Sequence, residues 1–167
     1  LLVHLSKNIK SLFIKSNSIT KIEKRIDYSF QNQQLLEQAF THKSINNSPR
    51  FNYERLEFLG DSVLDIIISR ELMREFPDGD EGLLTQRRAA LVQKPFLANI
   101  GRLLDLMDYL KIEQNIDLTI TKIADRQLAN IFEALIGAIY LDGGIHPCKI
   151  LILNTVWAHR KEGWKST

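Results

Sequence analysis

Between Asn52 and Asp65 (NYERLEFLGDSVLD) the chain carries two interleaved patterns with one helical period. Leu56, Leu59, Gly60, Val63, Leu64 and, a turn later, Ile67 are apolar or small and fall together. Carboxylates stand at 54, 57, 61 and 65, in steps of three, four and four. At ~100° per residue those steps return to one side of a helix. The pattern predicts a helix from about Asn52 to Phe76. Its second half (Val63, Leu64, Ile66, Ile67, Ile68, Leu72) is more apolar than one buried face requires. Either a neighbouring helix or a partner subunit covers the excess. Pro77, Gly79 and Gly82 end the element.

The remaining elements are helical too, which predicts an all-α domain. Leu2, Leu5, Ile9, Leu12 and Phe13 repeat at helical spacing with lysines between them. Residues 1–20 therefore read as a helical extension packed on the domain; a transit peptide is the alternative, disfavoured by the absence of Arg. Ser18 can cap a short helix from Ile19 to Arg25. Asn32 is the expected N-cap of a helix through Phe40, with Leu35, Leu36, Ala39 and Phe40 facing inward. Ile45 to Phe51 is a loop. Further helices are expected from Glu81 to Val92, and from Lys94-Pro95 to about Leu104, with proline at an early helical position. Asp105 to Ile116 reads as irregular or short-helical. Two long helices come next, Ile123 to Leu141 and Ile145 to about Lys161, separated by Gly143-Gly144. In the first, Arg126, Asn130, Glu133 and Gly137 share a face while Ile131, Leu135 and Ile139 point to the core. The small residues Ala134, Gly137 and Ala138 allow another helix to approach closely.

Composition narrows the class. At 167 residues with 44% hydrophobic content, the chain suits one globular domain. No apolar run approaches the ~18 residues of a membrane span. The single Cys148 excludes an internal disulfide framework and offers no metal-binding spacing, which fits a reducing setting. His4, His42, His146 and His159 are scattered and form no Glu-x-x-His repeat. The net charge of +2 conceals a segregation: residues 1–30 carry six Lys/Arg against two acids, residues 145–167 four against one, and the middle twelve against seventeen. An acidic centre between basic ends suits a polyanion held at its flanks and attacked at a metal-loaded centre, although ordinary surface charge produces the same totals.

The acidic face is the candidate chemistry. Like charges four residues apart repel by ~0.2–0.5 kcal/mol per pair on a helix. A hard divalent cation relieves that repulsion, because Mg²⁺ takes oxygen ligands. Spacing alone leaves a solvated acidic face equally open.

The wording of the motifs goes further. Glu54 to Leu64 (ERLEFLGDSVL) resembles the signature of the ribonuclease III family. Leu35 to Ser44 (LLEQAFTHKS), Asp80 to Val92 (DEGLLTQRRAALV) and Asn130 to Asp142 (NIFEALIGAIYLD) resemble further segments of the same catalytic domain, of bacterial type. The resemblance implies a helical bundle in which two acidic helices cross, dimerising through the signature-helix region. It implies a catalytic domain over residues 21–162. Residues 163–167 read as the start of the linker that leads, in many members, into a double-stranded-RNA-binding domain, which this chain does not include.

By the same resemblance, Glu57, Asp61, Asn130 and Glu133 hold Mg²⁺, with Mn²⁺ able to substitute, and Asp61 and Glu133 are the most directly catalytic. Glu54 stands beside the ligands or pairs with an arginine, and Glu81 lies near the cleft. Lys43 meets phosphate or caps the preceding helix; Arg87 lines an RNA cleft or pairs with acids. Asp65 stands on the acidic face outside the ligand set. The implied activity is hydrolysis of double-stranded RNA by a cytoplasmic homodimer without a small-molecule cofactor, leaving 5′-phosphates and short 3′ overhangs, as in processing of ribosomal RNA precursors. One position departs from the pattern: the family's usual residue at 130 is Asp. Asn keeps one ligating oxygen but removes a charge, so weaker metal binding is expected. It also sustains an alternative, a ribonuclease III-like fold that binds RNA or a ribosome without cutting.

Overall fold

The computed structural model describes residues 21–165; the expected helical extension over 1–20 lies outside them. Residues 21–26 are helical (α1) and bury Ile22 and Ile26. Next come α2 (Gln33–Ala39), α3 (Glu54–Glu75), α4 (Glu81–Val92), α5 (Lys94–Leu103), a 3₁₀ turn at Leu106–Tyr109, α6 (Thr121–Gly143), α7 (Ile145–Ile152) and α8 (Arg160–Lys165). Among the described residues no strand forms; Thr41 and Lys111 make an isolated bridge. The fold is the expected all-α one.

Local chemistry explains the boundaries. Asn32 caps α2 by accepting from the Gln34 amide, and Asp80 caps α4 by accepting from the Leu83 amide. Gln93 is extended (φ −66°, ψ 143°) and separates α4 from α5, where proline stands in the first turn. The start of α3 is fixed from outside the helix. The Tyr53 amide donates to the Thr41 carbonyl at 2.9 Å, the Gln38 side chain donates to the Asn52 carbonyl at 3.1 Å, and the Asn52 side chain accepts from the Glu54 amide at 3.0 Å. The Thr-His-Lys-Ser segment is thus a brace that sets where the signature helix begins.

The helix at the centre is α6, not the signature helix. Every residue from Gln127 to Ile139 is buried. Helices α2, α3, α5 and α7 pack around it, with Leu64, Ile68, Leu97, Ile100, Leu106, Phe132, Leu135 and Ile152 fully enclosed. Each such side chain contributes about 1.5–3 kcal/mol of burial. In α3 the isoleucine triplet divides: Ile67 and Ile68 enter this core while Ile66 is left 62% exposed.

Helices α3 and α6 meet backbone to backbone. A Cβ at Gly60 would collide with the carbonyl of Glu133, and a Cβ at Gly137 with the carbonyl of Leu56. These two glycines let the helices touch where their acids lie.

The long helix expected from Ile145 to about Lys161 is interrupted. A π-helical turn at Leu153–Trp157 succeeds α7, and Thr155 Oγ1 donates to the Leu151 carbonyl at 2.6 Å. The wide turn shifts the helical phase of α8 relative to α7. Gly163 is buried, a Cβ there meeting Leu91 and Phe96, and Trp164 packs on Phe76 and Trp157. Domain packing therefore continues through Gly163 and Trp164, which the sequence presents as the start of a linker.

Candidate active site

Beside the glycine contact, three carboxylates line one groove. Glu57 and Asp61, on successive turns of α3, and Glu133 of α6 line an open groove of about 500 Å³ with Glu54, Phe58, Val92 and Lys94. Asp61 is exposed, Glu57 half-buried, and Glu133 only 2% exposed. Burial and the neighbouring Glu57 and Asp61 push the Glu133 carboxyl up, Lys94 opposes them, and the result is about 7.

Asn130 is buried one turn before Glu133, and its side chain has a fixed orientation. Its Nδ2 donates to the Tyr53 hydroxyl at 3.3 Å, and that hydroxyl donates to Gln127 Oε1 at 2.7 Å. The carbonyl oxygen of Asn130 is left to accept from the Lys94 ammonium at 2.9 Å. Position 130, where the resemblance leads one to expect Asp, thus still offers an oxygen to the Lys94 ammonium.

Lys94 joins this cluster without any sign of it in the sequence. Its ammonium donates to Glu133 Oε2 at 2.6 Å, Asn130 Oδ1 at 2.9 Å and Glu57 Oε1 at 3.3 Å. Burial works against its charge, but Glu133 and Glu57 more than offset this and hold its pKa above the ordinary lysine value. Tyr53 and Gln127 are equally hidden at the level of sequence. An aromatic before the motif, a glutamine within a buried helix and a lysine at a helix start carry no spacing signal.

The other candidates scatter. Lys43 pairs with Glu54 at 3.6 Å, both near the surface. Glu81 accepts from Thr85 Oγ1 at 2.7 Å and lines a separate groove with Ser69, Met73 and Arg88. Arg87 stacks on Trp164 and Phe76, with ring centroids 4.8 and 5.8 Å away, while Arg88 donates to Ser69 at 2.9 Å. Asp65 is partly buried. One of its oxygens has no hydrogen-bond partner among the described residues, and burial and Asp61 raise its pKa.

The donor set is one of hard oxygens around a cation, which is the chemistry a divalent ion requires. Among the described residues no three His, Cys, Asp or Glu side chains converge as a ready metal cage. Lys94 gathers Glu57 and Glu133, and the third oxygen it binds is an amide.

This arrangement has known relatives. A family model described as Ribonuclease-III-like matches residues 32–159. The Ribonuclease 3 of Rhodopseudomonas palustris is 48% identical over 141 residues, covering 83% of this chain and 52% of that protein. The Ribonuclease 3 of Bacillus velezensis is 40% identical over 161 residues, covering 94% and 65%. Among solved structures, the nuclease domain of ribonuclease III from Campylobacter jejuni aligns with a TM-score of 0.77 at 36% identity, covering 84% of this chain and 96% of that one. The chain belongs to the ribonuclease III family. It spans between about half and two thirds of the length of these two Ribonuclease 3 relatives.

Proposed function

We propose that this chain, through a catalytic domain at residues 21–162, is a metal-dependent endoribonuclease that hydrolyses double-stranded RNA in the cytoplasm, leaving 5′-phosphates and short 3′ overhangs on structured precursors such as ribosomal RNA. The observation that carries this reading is that Glu57, Asp61 and Glu133 line one open groove, with Lys94 linking Glu57 and Glu133 to the Asn130 oxygen. Mutually repelling carboxylates that line one groove beside a glycine contact have an evident use as ligands for Mg²⁺, or Mn²⁺ in its place. A bound divalent ion supplies an activated water and neutralises charge on the phosphate. Glu57, Asp61, Asn130 and Glu133 would hold it. The protein's own part is geometric: Gly60 and Gly137 fix the distance between the two acidic helices, and Tyr53 fixes the amide of Asn130. Without a metal, burial and the neighbouring acids hold the Glu133 carboxyl at about 7; a bound divalent ion would favour its ionised, ligating form.

A homodimer is the proposed assembly. Phe58, Ile66 and Met73 stand out from α3 with 79%, 62% and 64% exposure. An open groove of about 770 Å³ beside Phe58 is lined by Pro49, Leu56, Leu59 and Leu141 together with Gln38, Arg50, Glu54 and Arg55. The Campylobacter jejuni nuclease domain is itself described as having a region involved in dimer formation.

One observation favours a second reading, an RNA-binding protein that does not cut: the site holds an amide where an acid is usual, and a lysine among its carboxylates. A cleavage assay on a perfect RNA duplex, titrated with Mg²⁺ and then Mn²⁺, separates the two. Metal-dependent cutting that disappears in Glu133→Gln is the expected outcome. Duplex binding without cutting in either metal would instead establish the second reading. In the same assay Asn130→Asp is expected to lower the Mg²⁺ needed for half-maximal cutting; equal demand by both chains would exclude a ligand role for position 130.

A further inference from the structure

We infer that Lys94 is an internal competitor for the metal position: its ammonium and the divalent ion take turns on the same oxygens, so metal binding requires Lys94 to swing out. The inference rests on the metal-dependent reading above. Lys94 uses all three of its N–H donors on the site, to Glu133 Oε2 at 2.6 Å, Asn130 Oδ1 at 2.9 Å and Glu57 Oε1 at 3.3 Å. Mg²⁺ bound to those oxygens would sit ~2.0–2.1 Å from each, within the space the ammonium fills. Both cations cannot occupy it.

Three features make this an exchange rather than a permanent plug. Lys94 opens α5, and a cation at a helix N-terminus meets the unfavourable end of the helix dipole. No acid in the first turn of α5 offsets that, so the carboxylates of α3 and α6 hold the side chain inward. The side chain is 47% exposed on a flexible stem and has solvent to move into. Asp61 lines the same groove outside the reach of Lys94's contacts and remains open to an arriving ion.

Asn130 fits the same arrangement. With an acid there the ammonium would face three carboxylates directly. With an amide it completes its hydrogen bonds against two. The chain thus carries a lysine and an amide that together lower the negative charge of the metal-free site, at the expense of metal affinity.

The test is Mn²⁺ binding by isothermal titration calorimetry on the whole chain without RNA, comparing wild type with Lys94→Met, Lys94→Arg and Glu133→Gln. Lys94→Met is expected to bind Mn²⁺ about tenfold more tightly, the scale of one unit charge a few ångström away at a half-exposed site. Lys94→Arg is expected to keep affinity near that of wild type, because the positive charge remains. If Lys94→Met is poorly folded in a thermal melt with chelator, Lys94→Gln carries the same comparison. Equal or weaker binding by the neutral variant, with binding lost in Glu133→Gln, would overturn the competition and leave the metal reading standing. No Mn²⁺ binding by any chain would overturn both.

Discussion

Glu133 is the residue on which the site's electrostatics turn. Its carboxyl is raised from 4.5 to about 7, first by burial, then by Glu57 and Asp61, against the pull of Lys94. A group whose pKa is higher in the folded state holds a proton that the unfolded chain has released. Its contribution is therefore complete below about pH 4.5 and is lost as pH rises through about 7. In chelator, the metal-free protein should lose on the order of 3 kcal/mol of stability from this group between pH 5 and 8. Urea unfolding at the two pH values, with Glu133→Gln alongside, measures it. The glutamine variant should show a distinctly smaller loss, and an identical loss would mean that Glu133 is not the group responsible. His42 shifts the other way. Its pKa is lowered by burial and by Lys43, so its ring contributes in the opposite direction at the acid end.

At the scale of elements, the contact between α3 and α6 matters most. Gly60 and Gly137 each face the other helix's backbone with no room for a methyl group. The neighbouring atoms are carbonyls rather than flexible side-chain ends, so they cannot give way without moving a helix. Gly137→Ala should destabilise the domain by about 1–3 kcal/mol or more. It should also separate Glu133 from Glu57 and Asp61. Chemical denaturation reads the first effect and Mn²⁺ affinity the second. A variant with normal stability and normal metal binding would show that the contact does not act as a spacer. Much of this element scale is legible in the sequence. Asn32 caps its helix, Pro95 lies in the first turn of α5, and the small residues of α6 meet a neighbouring helix, all as expected; the Asp80 cap of α4 appears only in the structure. The interrupted C-terminal helix is not legible, because a π turn leaves the hydrophobic period nearly intact while rotating the residues beyond it. In this chain it turns Trp164 onto Phe76 and Arg87.

For the whole molecule, the question is what covers the outer face of α3. Ile67 and Ile68 are buried within the subunit, yet Phe58, Ile66 and Met73 remain exposed on the same helix. Of the two covers the sequence allows, a neighbouring helix accounts for the former pair, and the proposed second subunit accounts for the rest. A Phe58→Asp chain should sediment as a monomer at concentrations where wild type is a dimer. Its circular dichroism should be unchanged, because Phe58 supports nothing inside its own fold. A dimer that survives the substitution would move the interface elsewhere.

By itself the sequence determined most of the helices, the small residues at the crossing and the acidic face of α3, because these stem from short-range periodicity and from residue size; the grouping of Glu57 and Asp61 with Asn130 and Glu133 came from the family resemblance. The sequence also showed that position 130 carries an amide. Tertiary structure alone decided that Lys94 reaches Glu133 across 39 residues of sequence, that Tyr53 holds the Asn130 amide, and that Arg87 lies on Trp164. The reason is physical. A helical period fixes which side chains share a face, but the direction of a long side chain at a helix end depends on the angle between two elements. Here Lys94 starts α5, directly after the extended Gln93, and reaches residues of α3 and α6.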